Sequence, residues 1–126
     1  MTMIAMRRDF DFKQALVARQ DLGLGRGKIV VQCCHASVSS AEETKAKHRE
    51  WWRAWMREGQ CKIALKVKDL DHLLKLEQEA KASNLPFYLV RDRGLTQVEP
   101  GTITCLGIGP APAGMLDLLT GDLSLL

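Results

Sequence analysis

One stretch of the chain places several chemically useful side chains on a single helical ridge. A helix that begins near Lys28 turns by about 100° per residue. It therefore places four side chains on one arc, namely Lys28, Gln32, His35 and Ser39. A lysine can stabilise a developing negative charge, and an imidazole can exchange a proton near neutral pH. This ridge is either the wall of an active-site cleft or a polar boundary stripe with a hydrogen-bonded histidine.

Two more polar residues follow the predicted third strand, at the end of a strand where open α/β sheets bind their ligands. Asp92 comes directly after residues 86–91, and Thr96 lies four residues later. If the first and third strands run parallel, Asp92 and Lys28 emerge at the same edge of the sheet. A carboxylate, a lysine and a hydroxyl there can order a water molecule and polarise a carbonyl group. The alternative is that Asp92 and Thr96 only cap their own loop.

A glycine-rich turn precedes this helix. Three glycines alternate in DLGLGRGK, residues 21–28, which predicts a loop rather than a helix interior. The turn is not a phosphate loop, because Ile29 follows the lysine where Ser or Thr is needed, and its spacing differs from that of dinucleotide-binding glycines. The backbone N–H groups at the helix start, beside Arg26 and Lys28, favour an anionic ligand unless the turn is purely structural.

A second cluster, WWRAW at residues 51–55, combines aromatic and basic side chains. We predict that at least two of the three tryptophans pack in the core or in a subunit contact, although aromatic rings can also stack on unpaired bases. On another face of the same helix, basic residues recur every four positions at Arg49, Arg53 and Arg57. Such a row can neutralise phosphates without a shaped pocket, so it is the candidate nucleic-acid contact.

Hydrophobic periodicity and turn residues predict the element order β-α-α-β-α-β-β-α. The predicted strands cover residues 12–19, 62–67, 86–91 and 102–109, and the predicted helices cover residues 28–47, 48–57, 70–82 and 115–119. This order indicates an α/β fold, a single domain with a mixed four-stranded sheet and helices on both faces. The domain occupies residues 12–126 and follows an N-terminal extension, residues 1–11.

Length and composition restrict the class of protein. The 126 residues suffice for one domain, and the apolar fraction of 46% with a charged fraction of 26% is typical of a folded globular chain. No stretch approaches the ~20 consecutive apolar residues of a membrane-spanning helix. At the amino terminus, MTMIAMRRDFDF places its basic pair after a short apolar run, the wrong order for a secretory signal. We therefore expect a cytoplasmic protein without a membrane partner.

The cysteines predict neither disulfides nor a metal centre. None of the four forms a CxxC pair, and two are adjacent, a poor arrangement for a zinc clamp. We expect them to be reduced and mostly buried. Cys34 belongs to an apolar arc of the Lys28 helix, which argues against its use as a nucleophile; the arc comprises Val30, Val31, Cys34, Val38 and Ala41.

The net charge of +3 conceals an asymmetry along the chain. Residues 1–68 hold 14 Lys and Arg against 7 Asp and Glu, a net charge of +7, whereas residues 69–126 hold 4 against 8, a net charge of −4. A basic half on a small domain favours an anionic partner, most simply a nucleic acid. Solvated helix faces alone can also produce such an imbalance.

Two separated blocks resemble a known family. QALVARQDLGLGRGKIVVQCCHA at residues 14–36 and RDRGLTQVEPGTITCLGIGPAP at residues 91–112, followed by TGDLSLL at residues 120–126, are similar to the peptidyl-tRNA hydrolase 2 family of archaea and eukaryotes. The resemblance covers roughly residues 12–126. The first ten residues lie outside it, so the native start can be Met1, Met3 or Met6.

The resemblance implies a single α/β domain with a mixed four-stranded sheet, usually a homodimer. It also implies hydrolysis of the ester that joins a peptide to the 3′ end of tRNA, without a metal or cofactor. Arg26 stands where many members carry a lysine, which keeps a phosphate contact but makes it a poor candidate for proton transfer. The positions that match the family's site residues are Lys28, Gln32, His35, Asp92, Thr96, Gln97 and Thr102.

We therefore expect an esterase that recycles tRNA from stalled translation, with peptidyl-tRNA as its partner and substrate. Its expected catalytic residues are Lys28, His35, Asp92 and Thr96, and its expected substrate-binding residues are Arg26, Gln32, Gln97, Thr102, Arg49, Arg53 and Arg57. Either Asp92 or His35 can be the general base. The alternative function is a non-catalytic RNA-binding or adaptor module on the same fold.

Overall fold

The computed structural model describes residues 10–94 and 98–126. They form an α/β domain in which the described strands make one mixed sheet. The strands are β1 (Phe12–Arg19), β2 (Lys62–Val67), β3 (Phe87–Arg91), β4 (Ile103–Pro112) and β5 (Ser124–Leu125). The helices are α1 (Arg26–Lys47), α2 (Arg49–Glu58), α3 (Leu70–Ala82) and α4 (Ala113–Thr120). No helix in these two ranges is long and apolar enough to cross a bilayer.

The sheet has the strand order β3-β4-β1-β2-β5. Only β1 and β2 pair in parallel, whereas β4 is antiparallel to both β1 and β3, and β5 is antiparallel to β2. The sequence predicted four strands, and the fifth was missed because two residues, Ser124 and Leu125, cannot show an alternating pattern. β4 also runs three residues beyond its predicted end, through Pro112.

Side chains of β1 alternate between two buried clusters. Ala15 and Val17 belong to a large cluster with residues of α3 and α4, which include Leu73, Leu76, Ala80 and Leu116. Leu16 belongs to a smaller cluster with Cys33 and Ala36 of α1. Asp69 caps α3 as predicted, since its carboxylate accepts the backbone N–H of His72 at 3.1 Å. The central strand therefore contributes side chains to both clusters.

The apolar arc of α1 is not its packed face. Val38 is 67% exposed and Val30 is 56% exposed, and Cys34, predicted to be buried, is exposed as well. The buried face instead consists of polar or small residues, namely Gln32, Cys33, Ala36, Ser37, Ser40, Ala41 and Thr44. Of the predicted arc, only Ala41 faces the core.

Close packing of α1 on β4 explains this inversion. A Cβ added to Gly107 of β4 would lie 2.5 Å from the carbonyl oxygen of Ala36, so the two backbones almost touch. Large side chains cannot occupy such an interface, and each polar group in it needs a partner. The Ser40 hydroxyl donates to the carbonyl oxygen of Gly109 at 2.6 Å, and the Thr44 hydroxyl donates to that of Pro110 at 3.1 Å.

Two tryptophans of α2 pack against the rest of the domain. Trp55 is 3% exposed, and its indole N–H donates to the carbonyl oxygen of Cys61 at 2.8 Å. Trp51 packs against the large cluster and stacks on His48, with ring centroids 3.7 Å apart. Two of the three tryptophans are therefore packed within the domain.

Replacing Gly107 by alanine tests the close approach of α1 to β4. We expect Gly107→Ala to lower the free energy of unfolding by about 1–3 kcal/mol, because overpacking must push α1 away from the sheet. Urea denaturation followed by circular dichroism measures this change. Gly114→Ala is the matched control, since a Cβ at Gly114 meets nothing within 4 Å. Equal stability of the two variants would contradict the packing argument.

Candidate active site

The carboxyl ends of β1 and β3 lie on the same side of the sheet. Both strands are antiparallel to β4, which lies between them, so they run parallel to each other. The sequence analysis predicted that Asp92 and Lys28 emerge at one edge of the sheet if these two strands run parallel, and they do. Asp92 follows β3 directly, and the Lys28 ammonium lies 2.6 Å from Asp92 Oδ1. The structure brings these two predicted residues together as an ion pair.

Asp92 is a buried carboxylate whose two oxygens have different partners. Its side chain is 4% exposed, and that of Lys28 is 14% exposed. Oδ1 accepts from Lys28 and, at 3.4 Å, from the amide of Gln32, whereas Oδ2 accepts the backbone N–H of Gly94 at 2.7 Å. Asp92 therefore caps its own loop with one oxygen and faces the Lys28 ridge with the other.

These contacts fix the protonation state of Asp92. The hydrogen bond from Lys28 lowers the pKa of Asp92 below its ordinary value, and the backbone N–H groups of the loop and the lysine's charge add to this effect. Burial acts in the opposite direction but does not outweigh them. The carboxyl group is therefore ionised at neutral pH and well into the acid range.

Gln32 is held in place by a residue that the sequence argument missed. The hydroxyl of Thr104 donates a short hydrogen bond to Gln32 Oε1, which leaves the amide nitrogen directed at Asp92. Thr104 is 1% exposed, and the pairing of β4 with β3 shifts register beside it, between Val90 and Arg91. A threonine within the apolar run TITCLGIG was the available signal.

A cleft of about 540 Å³ opens beside the ion pair. The predicted ridge forms one wall, because Lys28, Gln32, His35 and Ser39 all line it. β3 and the residues after it form the other wall, with Tyr88, Val90, Arg91, Asp92 and Arg93. Tyr88, Arg91 and Arg93 were not predicted, although the two arginines flank Asp92 in the sequence. The cleft combines a buried carboxylate, a lysine, a histidine and exposed guanidinium groups.

Other predicted site residues lie elsewhere or outside the described residues. Arg26 is exposed at the start of α1 and is not among the residues that line the cleft. Thr102 supports the loop, since its hydroxyl donates to the carbonyl oxygen of Glu99 at 2.7 Å and its own carbonyl accepts the N–H of Asp92. Thr96 and Gln97 lie outside the described residues.

The predicted arginine row lies far from the ion pair. Arg49, Arg53 and Arg57 are exposed on α2, which follows the carboxyl end of α1. At 1.5 Å per residue, the end of α1, from which α2 follows, lies roughly 30 Å along the helix from Lys28. The row can therefore contact a large partner of the cleft but not a small molecule bound in it.

The cysteines do not contribute to the cleft. Cys34 lines a separate groove together with Val30 and Val38, and Cys33 and Cys105 are buried. Within residues 10–94 and 98–126, no three His, Cys, Asp or Glu side chains are grouped so that they could hold a metal ion. Among the described residues of the cleft, the side chains suited to catalysis are Asp92, Lys28 and His35.

Comparison with known proteins assigns the chain to a family. The family described as "Peptidyl-tRNA hydrolase PTH2" matches residues 12–126. A peptidyl-tRNA hydrolase from Sulfolobus acidocaldarius is 50% identical over 119 residues, which cover 90% of this chain and 99% of that protein. Peptidyl-tRNA hydrolases from Saccharolobus solfataricus and Saccharolobus islandicus are 46% and 44% identical over 118 residues, which cover 90% of this chain and 98% of each protein. The resemblance seen in the sequence is confirmed, and the chain belongs to the peptidyl-tRNA hydrolase PTH2 family.

Proposed function

We propose that this chain, a peptidyl-tRNA hydrolase by its family, cleaves the ester between peptide and tRNA in the cleft beside Lys28 and Asp92. The observation that carries this assignment is the buried ion pair, with its two side chains 14% and 4% exposed, at the base of an open cleft. A structural ion pair needs no adjoining cleft of about 540 Å³ that also holds an exposed histidine. The reaction releases free tRNA for reuse after stalled translation.

The proposed chemistry is direct attack by water. Asp92 holds a water molecule by accepting its hydrogen bond, and the water oxygen forms a bond to the ester carbonyl carbon. The Lys28 ammonium stabilises the negative charge that develops on the carbonyl oxygen. The bond from that carbon to the ribose oxygen then breaks, the tRNA regains its hydroxyl group, and the peptide leaves as a carboxylic acid that releases its remaining proton to solvent. An ester with a positioned water, a carboxylate and an ammonium needs no metal or cofactor.

His35 is our choice for the proton acceptor. The lowered pKa of Asp92 makes its carboxylate a weak base, although its fixed charge still orients the water. His35 lines the same cleft and is exposed to it. It can take the proton from water and return it to the ribose oxygen. Thr96, which lies outside the described residues, stays a proposed catalytic residue.

Substrate binding is proposed for the polar residues around this centre. Gln32 acts by orienting Asp92, since its amide donates to that carboxylate. Arg26 contacts phosphates at the 3′ end of tRNA, and Arg91 and Arg93, which line the cleft, add positive charge there. Gln97 and Thr102 remain proposed contacts on the loop after Asp92, with Thr102 acting through the loop that its hydroxyl stabilises.

Replacing Asp92 by asparagine tests the reaction centre. We expect Asp92→Asn to lower the saturated single-turnover rate by on the order of 10²-fold or more, because the amide keeps the shape and loses the charge that orients water. The rate is measured as release of tRNA from peptidyl-tRNA with saturating protein in excess, and release at substoichiometric protein is the test for turnover. Asp117→Asn is the matched control, since Asp117 is also paired with a lysine, Lys13, at 2.5 Å but does not line the cleft.

Two results would contradict this assignment. A wild-type rate for saturated Asp92→Asn would reduce Asp92 to a loop cap. Binding of peptidyl-tRNA by the wild-type chain without release of tRNA would instead favour the RNA-binding or adaptor module.

The arginine row of α2 is the proposed contact for the body of the tRNA. We expect alanine at Arg49, Arg53 or Arg57 to weaken tRNA binding and to lower the slope of log affinity against log salt by about one per lost phosphate contact. The saturated rate should change little, because no residue of this row lines the cleft. Lys81→Ala, an exposed cation at the end of α3, is the control. Equal salt slopes in all variants would remove the row from the interface.

Three further features of the sequence interpretation also remain proposals. We infer that helices cover both faces of the sheet, which is supported by the alternation of β1 side chains between the cluster with α1 and the cluster with α3 and α4. The domain boundaries, 1–11 for the extension and 12–126 for the hydrolase domain, are supported by the range of the family match. A cytoplasmic location is proposed from the role in translation.

We further propose that the chain forms a homodimer through the valine groove, the surface lined by Val30, Cys34 and Val38 of α1 with Ala64 of β2 and Leu126. Exposed apolar side chains clustered beside a groove of about 440 Å³ are typical of a protein contact. We expect Val38→Lys to weaken dimerisation at least tenfold, because it buries a charge in that contact. Sedimentation equilibrium measures this, with Leu118→Lys, at an 87% exposed position of α4, as the control. A monomeric wild-type chain would contradict the proposal.

A further inference from the structure

Strand β3 is the edge of the sheet next to the reaction centre. It stands first in the strand order, and in the part of the chain that the structure describes only β4 pairs with it. β3 ends at Arg91, and Asp92 follows directly. An open edge strand presents backbone N–H and C=O groups that can pair with another extended chain.

The hydrogen bonds at both ends of β3 show which backbone groups are available. At the start of β3, the carbonyl of Pro86 accepts the N–H of Gly109 at 2.8 Å. After its end, the N–H of Asp92 donates to the carbonyl oxygen of Thr102 at 2.8 Å, and the carbonyl of Asp92 accepts the N–H of Gly101 at 2.7 Å. Thr102 and Gly101 belong to the segment that leads into β4. Residues 86, 88, 90 and 92 therefore direct their backbone groups at β4. Because backbone groups alternate along a strand, the N–H and C=O of Leu89 point away from the sheet.

The substrate's covalent structure sets the direction of a bound peptide. The ester carbonyl belongs to the last residue of the peptide and must lie at Asp92. β3 runs toward Asp92, so a peptide that lies along β3 and ends at Asp92 runs parallel to it. Backbone pairing is also the recognition mode that suits peptides of any sequence, because it makes no use of side chains.

We propose that the peptide part of peptidyl-tRNA binds as an added parallel strand on the outer edge of β3, through main-chain hydrogen bonds centred on Leu89. This proposal rests on the proposed function of the Lys28 and Asp92 cleft and adds the mode of peptide recognition to it. In that position the peptide passes Tyr88, whose side chain is 43% exposed and lines the cleft. The reacting carbonyl then reaches Asp92 at the end of the strand.

Proline at position 89 tests the outward N–H without breaking the sheet. Proline is tolerated in an edge strand where the N–H faces outward, because no ladder hydrogen bond is lost. We expect Leu89→Pro to raise KM for a tRNA carrying a peptide of five or more residues by roughly tenfold, with little change in kcat, because one backbone hydrogen bond is lost and its acceptor is left without a partner. Leu89→Ala, which keeps the N–H, should retain the wild-type KM.

A substrate series provides a second measurement that does not depend on folding of the proline variant. With wild-type protein, N-methylation of single peptide residues should raise KM at alternate positions from the ester and leave it unchanged at the positions between, because a strand pairs every second residue with its neighbour. A KM that is insensitive to methylation at every position would overturn the proposal. Equal KM values for a folded Leu89→Pro variant and for Leu89→Ala would also overturn it.

A tRNA carrying a single N-acetylated amino acid separates this inference from the proposed function. Such a substrate has no chain to pair with Leu89, so Leu89→Pro and the wild-type protein should hydrolyse it at the same rate. Absence of hydrolysis by the wild-type protein would contradict the proposed function itself. If Leu89→Pro instead converts a dimer into monomers, the β3 edge pairs with a second copy, and the peptide proposal is wrong.

Discussion

Helix α1 approaches β4 so closely that Gly107 has no space for a side chain, since an added Cβ would lie 2.5 Å from the Ala36 carbonyl oxygen. This contact determines the position of every group on the Lys28 ridge. It sets Gln32 within hydrogen-bond distance of both Thr104 and Asp92, and it sets Lys28 against the same carboxylate. The candidate site is therefore a consequence of how two backbone segments pack, and its side chains complete that packing.

Burial of a carboxylate is costly unless each oxygen is paired. Asp92 meets this requirement with an ammonium and an amide from α1 and a backbone N–H from its own loop. The same partners that lower its pKa also limit its basicity. A carboxylate held in this way is suited to orienting a water molecule by charge, and the neighbouring exposed histidine is suited to proton transfer.

Helix α1 buries polar and small residues and exposes its valines, so the cleft and the valine groove lie on different faces of one helix. Because the hydroxyl and small residues of α1 face β4, its valines are left facing solvent beside a groove. On a neighbouring face of the same helix, the ridge of Lys28 and His35 lines the cleft. A single helix thus presents a polar packed face, a face that lines the cleft and an apolar exposed face.

The sequence by itself determined most of the local elements and the polar ridge that lines the cleft. The bounds of β1 and β2, the Asp69 cap and the shared arc of Lys28, Gln32 and His35 all follow from short-range periodicity and capping, which depend on neighbours in the chain. Only the tertiary structure decided that the valines of α1 are exposed, that Thr104 holds Gln32 and that two residues, Ser124 and Leu125, form a fifth strand. Each of these outcomes depends on which distant segments of the chain pack together. Hydrophobic periodicity shows how apolar one face of an element is, but it does not show what packs against that face.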